Sequence, residues 1–496
     1  MYTWILVLVC ITCVHGVLWC LYWKARRNFK HLPSYSQLPF LGSIHWFIGG
    51  GTAIFNRLKE ISKVMDKTNL PFVVWLGPRP LMLLSDPEDV KTVTNSFLEK
   101  PYLYNFGREW LGDGLVTAPG DVWKKNIKLI AGTFTGSMVD DFQEVFNIKA
   151  RELVKKLKEE ANQPPFDAMQ HLSYTTLAAI CQTGLGVSYT SDSKESEEYY
   201  EAFKNALKLL VKRGLNLLHH FDYFYSFSSD RTKFLKNIAV MHKVSNAVIN
   251  QKIHEREEMK RNGISETNII GTGKSNFKTV LDVLLDLKEI DPNMNEEQIR
   301  AEVHTIIVGG QETVAATLGY TLLMLGCHPD VQKKLYDEVR EVFGERKRIE
   351  KEDLARMVFC EAVLQETLRM FPPIPVVTRH ADRDLQITSC IIPKGTLCSL
   401  NLWGVGRSEQ AWGKDADEFL PERWLPPRTP SKYSYMPFSI GRRSCIGKRY
   451  AMAILKTLLA HCVKELIFIS EAQDMEFQMD VGLRAIKGNL LQVQLR

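Results

Sequence analysis

The chain has 496 residues, of which 45% are hydrophobic and 24% charged. Those shares match globular averages of about 45–50% and 25%, and they exclude disorder, collagen and coiled coil as descriptions of the whole. Lys+Arg 63 against Asp+Glu 57 leaves a net charge of +6, too slight over this length to argue for a nucleic-acid partner. Ten cysteines show no framework of regular spacings, which favours a reduced compartment over a secreted disulfide scaffold. Cys10-x-x-Cys13 lies in an apolar run, where cysteine behaves as a small hydrophobe.

Residues 2–23 contain no Asp, Glu, Lys or Arg. Roughly 20 apolar residues span a hydrocarbon core of about 30 Å. A cleaved signal peptide wants a basic start and a small-x-small cleavage site. Here Lys24, Arg26, Arg27 and Lys30 follow the run instead. The expectation is an uncleaved membrane anchor over residues 1–23, with the basic cluster and everything after it on the cytosolic side. A basic, Pro-rich linker over 24–42 then leads into one domain over 43–496.

Phe72-Val73-Val74-Trp75-Leu76, Gly77-Pro78 and Leu81-Met82-Leu83-Leu84 predict a β-hairpin. Residues 385–402, broken by Pro393-Lys394-Gly395, carry a second β signal, and residues 490–495 alternate as a strand. Helical period marks residues 141–158, 199–218, 233–260, 296–325 and 330–343. The fold class is therefore mostly α with minor β-sheet. Residues 262–275 read as an exposed loop. The aromatic cluster at residues 219–225 suits either a membrane or substrate contact or the core.

Asn295-x-x-Gln298 reads as a capping box that opens the longest helix. In the middle of that helix stands Val308-Gly309-Gly310-Gln311-Glu312-Thr313-Val314. Two adjacent glycines cost about 2 kcal/mol against alanine in a helix interior. A close helix crossing explains them, and so does a groove for a ligand. Glu366-Thr367-Leu368-Arg369 places a carboxylate and a guanidinium at i, i+3, and Phe371-Pro372-Pro373 stops that helix. Near the end, Gly441-Arg442-Arg443-Ser444-Cys445-Ile446-Gly447-Lys448-Arg449 sets one cysteine among glycines and cations before a helix over 450–464. A thiolate there is stabilised by helix N–H groups and nearby cations. With no second Cys or His nearby, zinc is poorly supported. A haem-iron axial ligand, a nucleophile and an inert thiol remain open, and His461 is the one nearby base for a nucleophile.

Phe438-x-x-Gly441-x-Arg443-x-Cys445-x-Gly447 resembles the complete haem-binding signature of the cytochrome P-450 superfamily. Other segments agree in order along nearly the whole chain. The resemblance implies that fold, with haem b bound by Cys445 as metal ligand and cradled by Phe438, Gly441 and Gly447. Glu366 and Arg369 resemble the family's Glu-x-x-Arg helix, and Phe419-x-Pro421-Glu422-Arg423-Trp424 its downstream partner; together they imply a buried ion network of Glu366, Arg369 and Arg423. Arg379 and Arg443 would bind haem propionates. Gly309 and Gly310 belong to a run similar to the family's oxygen-binding groove, in which Thr313 would hydrogen-bond dioxygen and Glu312 would relay protons.

Gly114-Leu115-Val116-Thr117-Ala118-Pro119-Gly120-Asp121-Val122-Trp123 and residues 241–250 resemble animal family four, insect members above all. Two departures stand out. That group often carries a haem-esterified glutamate where this chain has Gly309, which implies haem non-covalent apart from the Cys445–iron bond. Its Trp-x-x-x-Arg reads Trp123-x-x-x-Ile127 here, leaving Lys124 or Lys128 as substitutes. The resemblance implies a monooxygenase of the endoplasmic reticulum (microsomal) membrane that hydroxylates a small apolar substrate: a fatty acid, a hormone-like lipid or a xenobiotic such as an insecticide. Electrons would come from NADPH through a flavoprotein reductase, with cytochrome b5 a further donor. The alternatives are a haem-thiolate isomerase or dehydratase, or a non-catalytic membrane haem protein.

Overall fold

The computed structural model describes residues 16, 26–38, 41–189, 194–262, 268–270, 273–275, 278–427, 433–471 and 475–496. The predicted anchor lies outside them apart from Gly16. Among the described residues no helix is long and apolar enough to cross a membrane.

The predicted hairpin forms from Phe72–Leu76 and Arg79–Leu84, in register from Phe72↔Leu83 to Leu76↔Arg79. Leu397–Asn401 joins parallel to the second strand, and Val376–His380 closes the four-stranded sheet antiparallel to it. The Pro-rich segment is docked on this sheet. Val73 N–H donates to Pro33 O at 2.9 Å, and the Phe29 ring meets Trp75 edge-on at 5.9 Å. A second sheet sets Leu490–Leu495 between Leu466–Ile469 and Phe166–Asp167.

Helices make up most of the rest. The central helix, Glu296–Cys327, is apolar nearly all round and buried to match. It packs along Met169–Gly184 and against Lys448–Glu465 and Val358–Met370. Asn295 Oδ1 accepts the Gln298 N–H at 2.9 Å, which caps its start. The Gln298 side chain does not return to Asn295: it donates to Asp113 O and Glu302 instead, so the box is half formed.

One further expectation needs correction. Within residues 262–275, Asn268–Ile270 pairs antiparallel with Gly273–Ser275, a short ladder where a loop was expected; residues 263–267 and 271–272 lie outside the described set. The aromatic cluster is mostly surface. Phe221, Tyr223 and Phe224 are 64%, 70% and 51% exposed, as is Phe227 at 77%, while Tyr225 alone is buried.

Candidate active site

The cysteine loop is held by backbone. Cys445 N–H donates to Phe438 O at 2.9 Å and Ser444 N–H to Gly441 O at 3.1 Å. Gly441 has φ +76°, and a Cβ there would lie 2.7 Å from Thr94 Cβ, so only glycine lets the loop lie on Pro87–Ser96. Gly447 then begins the helix Lys448–Glu465. Cys445 is accessible by area, yet burial is the main force on its thiol and pushes it up, against the Gly447 N–H and Lys448. A side chain both accessible and desolvated faces space enclosed by protein. The helix end and the cations therefore do not by themselves make a thiolate, as the sequence led one to expect. Arg443 turns away from the sulfur, and a metal ion, which deprotonates a coordinating thiol outright, would supply the difference.

Three cations converge near this loop. Arg443 donates to Leu115 O at 3.2 Å and Ala118 O at 2.8 Å, and its guanidinium lies 4.6 Å from the centre of the Trp123 ring. Arg379 is 1% exposed and has one bond, to the adjacent Thr378 O at 3.1 Å. Nε of both arginines is buried without a partner. Lys100 is held well below the usual lysine range by burial and then by the charges of Arg379 and Arg443. Burial, then Arg379, brings Arg443 down to about 10. The one carboxylate acting on this group, Glu99, already accepts the Gly120 N–H at 3.0 Å. Buried like charges cost several kcal/mol each unless an anion completes them. Two carboxylates entering together, as haem propionates do, fit these orphaned donors. Lys124 and Lys128, the candidate substitutes, are both exposed, and half-buried Ile127 packs into the core between them. The third cation is Lys100, which the sequence did not mark.

The central helix resolves its two glycines separately. A Cβ on Gly310 would lie 2.7 Å from Ile180, so that glycine admits the crossing of Met169–Gly184. A Cβ on Gly309 would meet nothing within 4 Å. Residues 308–310, 312 and 313 are partly or fully accessible in a helix whose flanks are buried. Thr313 Oγ1 donates to Gly309 O at 2.7 Å, leaving its lone pairs free to accept. Glu312 Oε2 is buried without a partner, and burial pushes the carboxyl up while Arg484 and Lys204 oppose it.

Glu366 is 0% exposed and fully paired. Arg369 donates to both its oxygens at 2.8 Å, Arg423 Nε to Oε1 at 3.0 Å and Trp424 Nε1 to Oε2 at 2.9 Å. Arg369 Nη1 binds Gly406 O and Ala416 O, both at 2.6 Å, and Nη2 binds Glu418 O at 2.9 Å. His461, the base a cysteine nucleophile needs, is committed elsewhere. Its Nε2 meets Asn147 Oδ1 at 2.9 Å and its ring packs on Phe343.

The sequence matches known proteins along nearly its whole length. The model of the Cytochrome P450 family matches residues 32–492. Rat Cytochrome P450 4V2 is 29% identical over 491 residues, covering 96% of this chain and 92% of its own. Cytochrome P450 4c21 of the cockroach Blattella germanica is 29% identical, covering 95% of each. Cytochrome P450 4d1 of Drosophila melanogaster is 30% identical, covering 90% of this chain and 89% of its own. A match of that extent makes the chain a member of the cytochrome P450 family, a haem-thiolate monooxygenase with insect and mammalian relatives in family four.

Proposed function

We propose that Cys445 is the thiolate that holds the haem, with Arg379, Arg443 and Lys100 on its propionates and Trp123 stacked behind Arg443. The observation that carries this is the set of three desolvated cations without an anion beside a lone desolvated thiol. Bound haem supplies oxygen activation: a C–H bond, O₂, two electrons and two protons become an alcohol and water. The chain's own part is to exclude water and to deliver protons. Burial favours the protonated form of Glu312, which makes it a proton store next to Thr313. Thr313 Oγ1 would relay that proton once its hydroxyl turns from Gly309 O.

The substrate is an apolar molecule: a fatty acid, a hormone-like lipid or a xenobiotic. Electrons come from NADPH through a flavoprotein reductase, with cytochrome b5 as a further donor. Exposed Arg442, Lys448 and Arg449 beside the cysteine loop suit an acidic partner. The apolar run at residues 2–23 and exposed Phe221, Tyr223, Phe224 and Phe227 suit a membrane surface, that of the endoplasmic reticulum, with the catalytic domain in the cytosol. The test is a substrate panel of lipids and xenobiotics in the presence of purified reductase. NADPH consumption coupled to hydroxylated product supports the reading. Turnover without reductase would point to an isomerase or dehydratase instead.

A further inference from the structure

Glu302 carries no signal in the sequence, because a glutamate on a long helix reads as a solvated face. It is 0% exposed, and it stands seven residues, about two turns, before Gly309. Its carboxylate accepts the Leu115 N–H at 3.0 Å, the Asn126 amide at 2.8 Å and the Gln298 amide at 3.0 Å. Three segments meet there: the loop over residues 112–118, the helix Gly120–Ile130 and the central helix. The loop lies so close that a Cβ on Gly114 would come 2.1 Å from Thr305 Oγ1 and 2.5 Å from Ala301 O.

Leu115 is the pivot. Glu302 holds its N–H, and its carbonyl holds Arg443 Nη1 at 3.2 Å. Asn126 lies one turn beyond Trp123, whose ring supports the same guanidinium. We propose that Glu302 is a positioning residue: its ionised carboxylate clamps residues 112–118 onto the central helix and thereby aims Arg443. The inference rests on the reading of Arg443 as a propionate ligand.

Three donors make the clamp. Every donor points an N–H at the carboxylate, so a proton on either oxygen opposes a donor and finds no acceptor. Burial acts the other way and pushes the carboxyl up to about 7. The charged groups around it do little to reverse that. Asp113 on the loop pairs with Arg108 and raises Glu302 further. Lys125 on Gly120–Ile130 is held by Asp291 at 2.6 Å. Arg300 on the central helix is bonded to Asn246 at 2.8 Å, and Arg443 lies beyond Leu115. A carboxyl held at about 7 takes up a proton more readily in the closed state than in an opened, solvated one, so acid gives no release, and removing the carboxylate is what opens the loop.

The holoenzyme tests this at about pH 8, one unit above that value. Amide-exchange protection over residues 112–118 and haem transfer to apomyoglobin are read for the native chain, Glu302→Gln, Glu302→Leu and Arg443→Leu. In Glu302→Gln, loop protection should fall about tenfold and haem should transfer about tenfold faster than in the native chain, the size of one charge-assisted hydrogen bond. Glu302→Leu, which removes every acceptor, should change both at least as much. Native loop protection in both variants overturns the clamp. If the loop opens while haem transfer stays unchanged, the link to Arg443 is broken. Faster transfer from Arg443→Leu would then leave the propionate reading standing, whereas unchanged transfer would overturn both.

Discussion

Glu366 and Arg379 are both buried ionisable side chains, 0% and 1% exposed, and their surroundings separate architecture from function. Around Glu366 every charge has its opposite and the spare N–H groups of Arg369 reach carbonyls. Around Arg379 stand Arg443 and Lys100, with Nε of both arginines idle and no acid in excess. The first cluster is complete as the chain folds. The second is left uncompensated, and under the proposed function the haem propionates would neutralise it.

The contrast predicts opposite signs. Glu366→Ala should cost about 3–5 kcal/mol of stability with or without haem, because it strands two buried guanidinium groups; thermal unfolding reads this. Arg379→Met should leave the haem-free chain as stable or more so, while speeding haem loss. Equal destabilisation by both would erase the distinction between the clusters.

A smaller effect sharpens the functional side. Thr313→Ala should keep haem and NADPH oxidation but cut product per NADPH by about tenfold or more, with hydrogen peroxide taking up the flux. Unchanged coupling would mean that protons arrive by another route.

The two glycines repeat the contrast on one helix. Gly310→Ala should cost about 1–3 kcal/mol, since Ile180 must shift. Gly309→Ala should gain up to about 1 kcal/mol of helix propensity, having only open space to fill. With no carboxylate at Gly309, acidified organic solvent should extract all the haem. Haem that stays with the denatured chain would demand another carboxylate donor.

Acid stability follows from two buried imidazoles. Burial pushes His304 and His461 down to about 3 from 6.5. The unfolded chain thus binds more protons between those values, so stability should fall as pH drops below about 6.5, by up to about 1.4 kcal/mol per pH unit for each histidine. His461→Gln should flatten part of that slope in urea titrations.

The sequence showed the hairpin, the long helices and the cysteine loop, because each rests on local chemistry: period, turn residues, and a motif within ten positions. It could not show Lys100 or Glu302. Both belong to residue types that are normally solvated, and segments distant in the chain meet around them, burying Glu302 fully and Lys100 in part. The same limit explains Gln298, whose cap was half predicted because its side chain found a better partner across the fold. It also applies to Lys100, a cation more than twenty residues before Ile127 that no local pattern in the sequence marks.

The central claim is that Cys445 is the iron ligand, and one spectrum tests it. The reduced carbon-monoxide complex of the native chain should show the red-shifted haem band that a thiolate ligand produces, and Cys445→Ser should lose it while retaining haem through Arg379, Arg443 and Lys100. A Cys445→Ser variant that kept the band would place the ligand elsewhere and contradict the account.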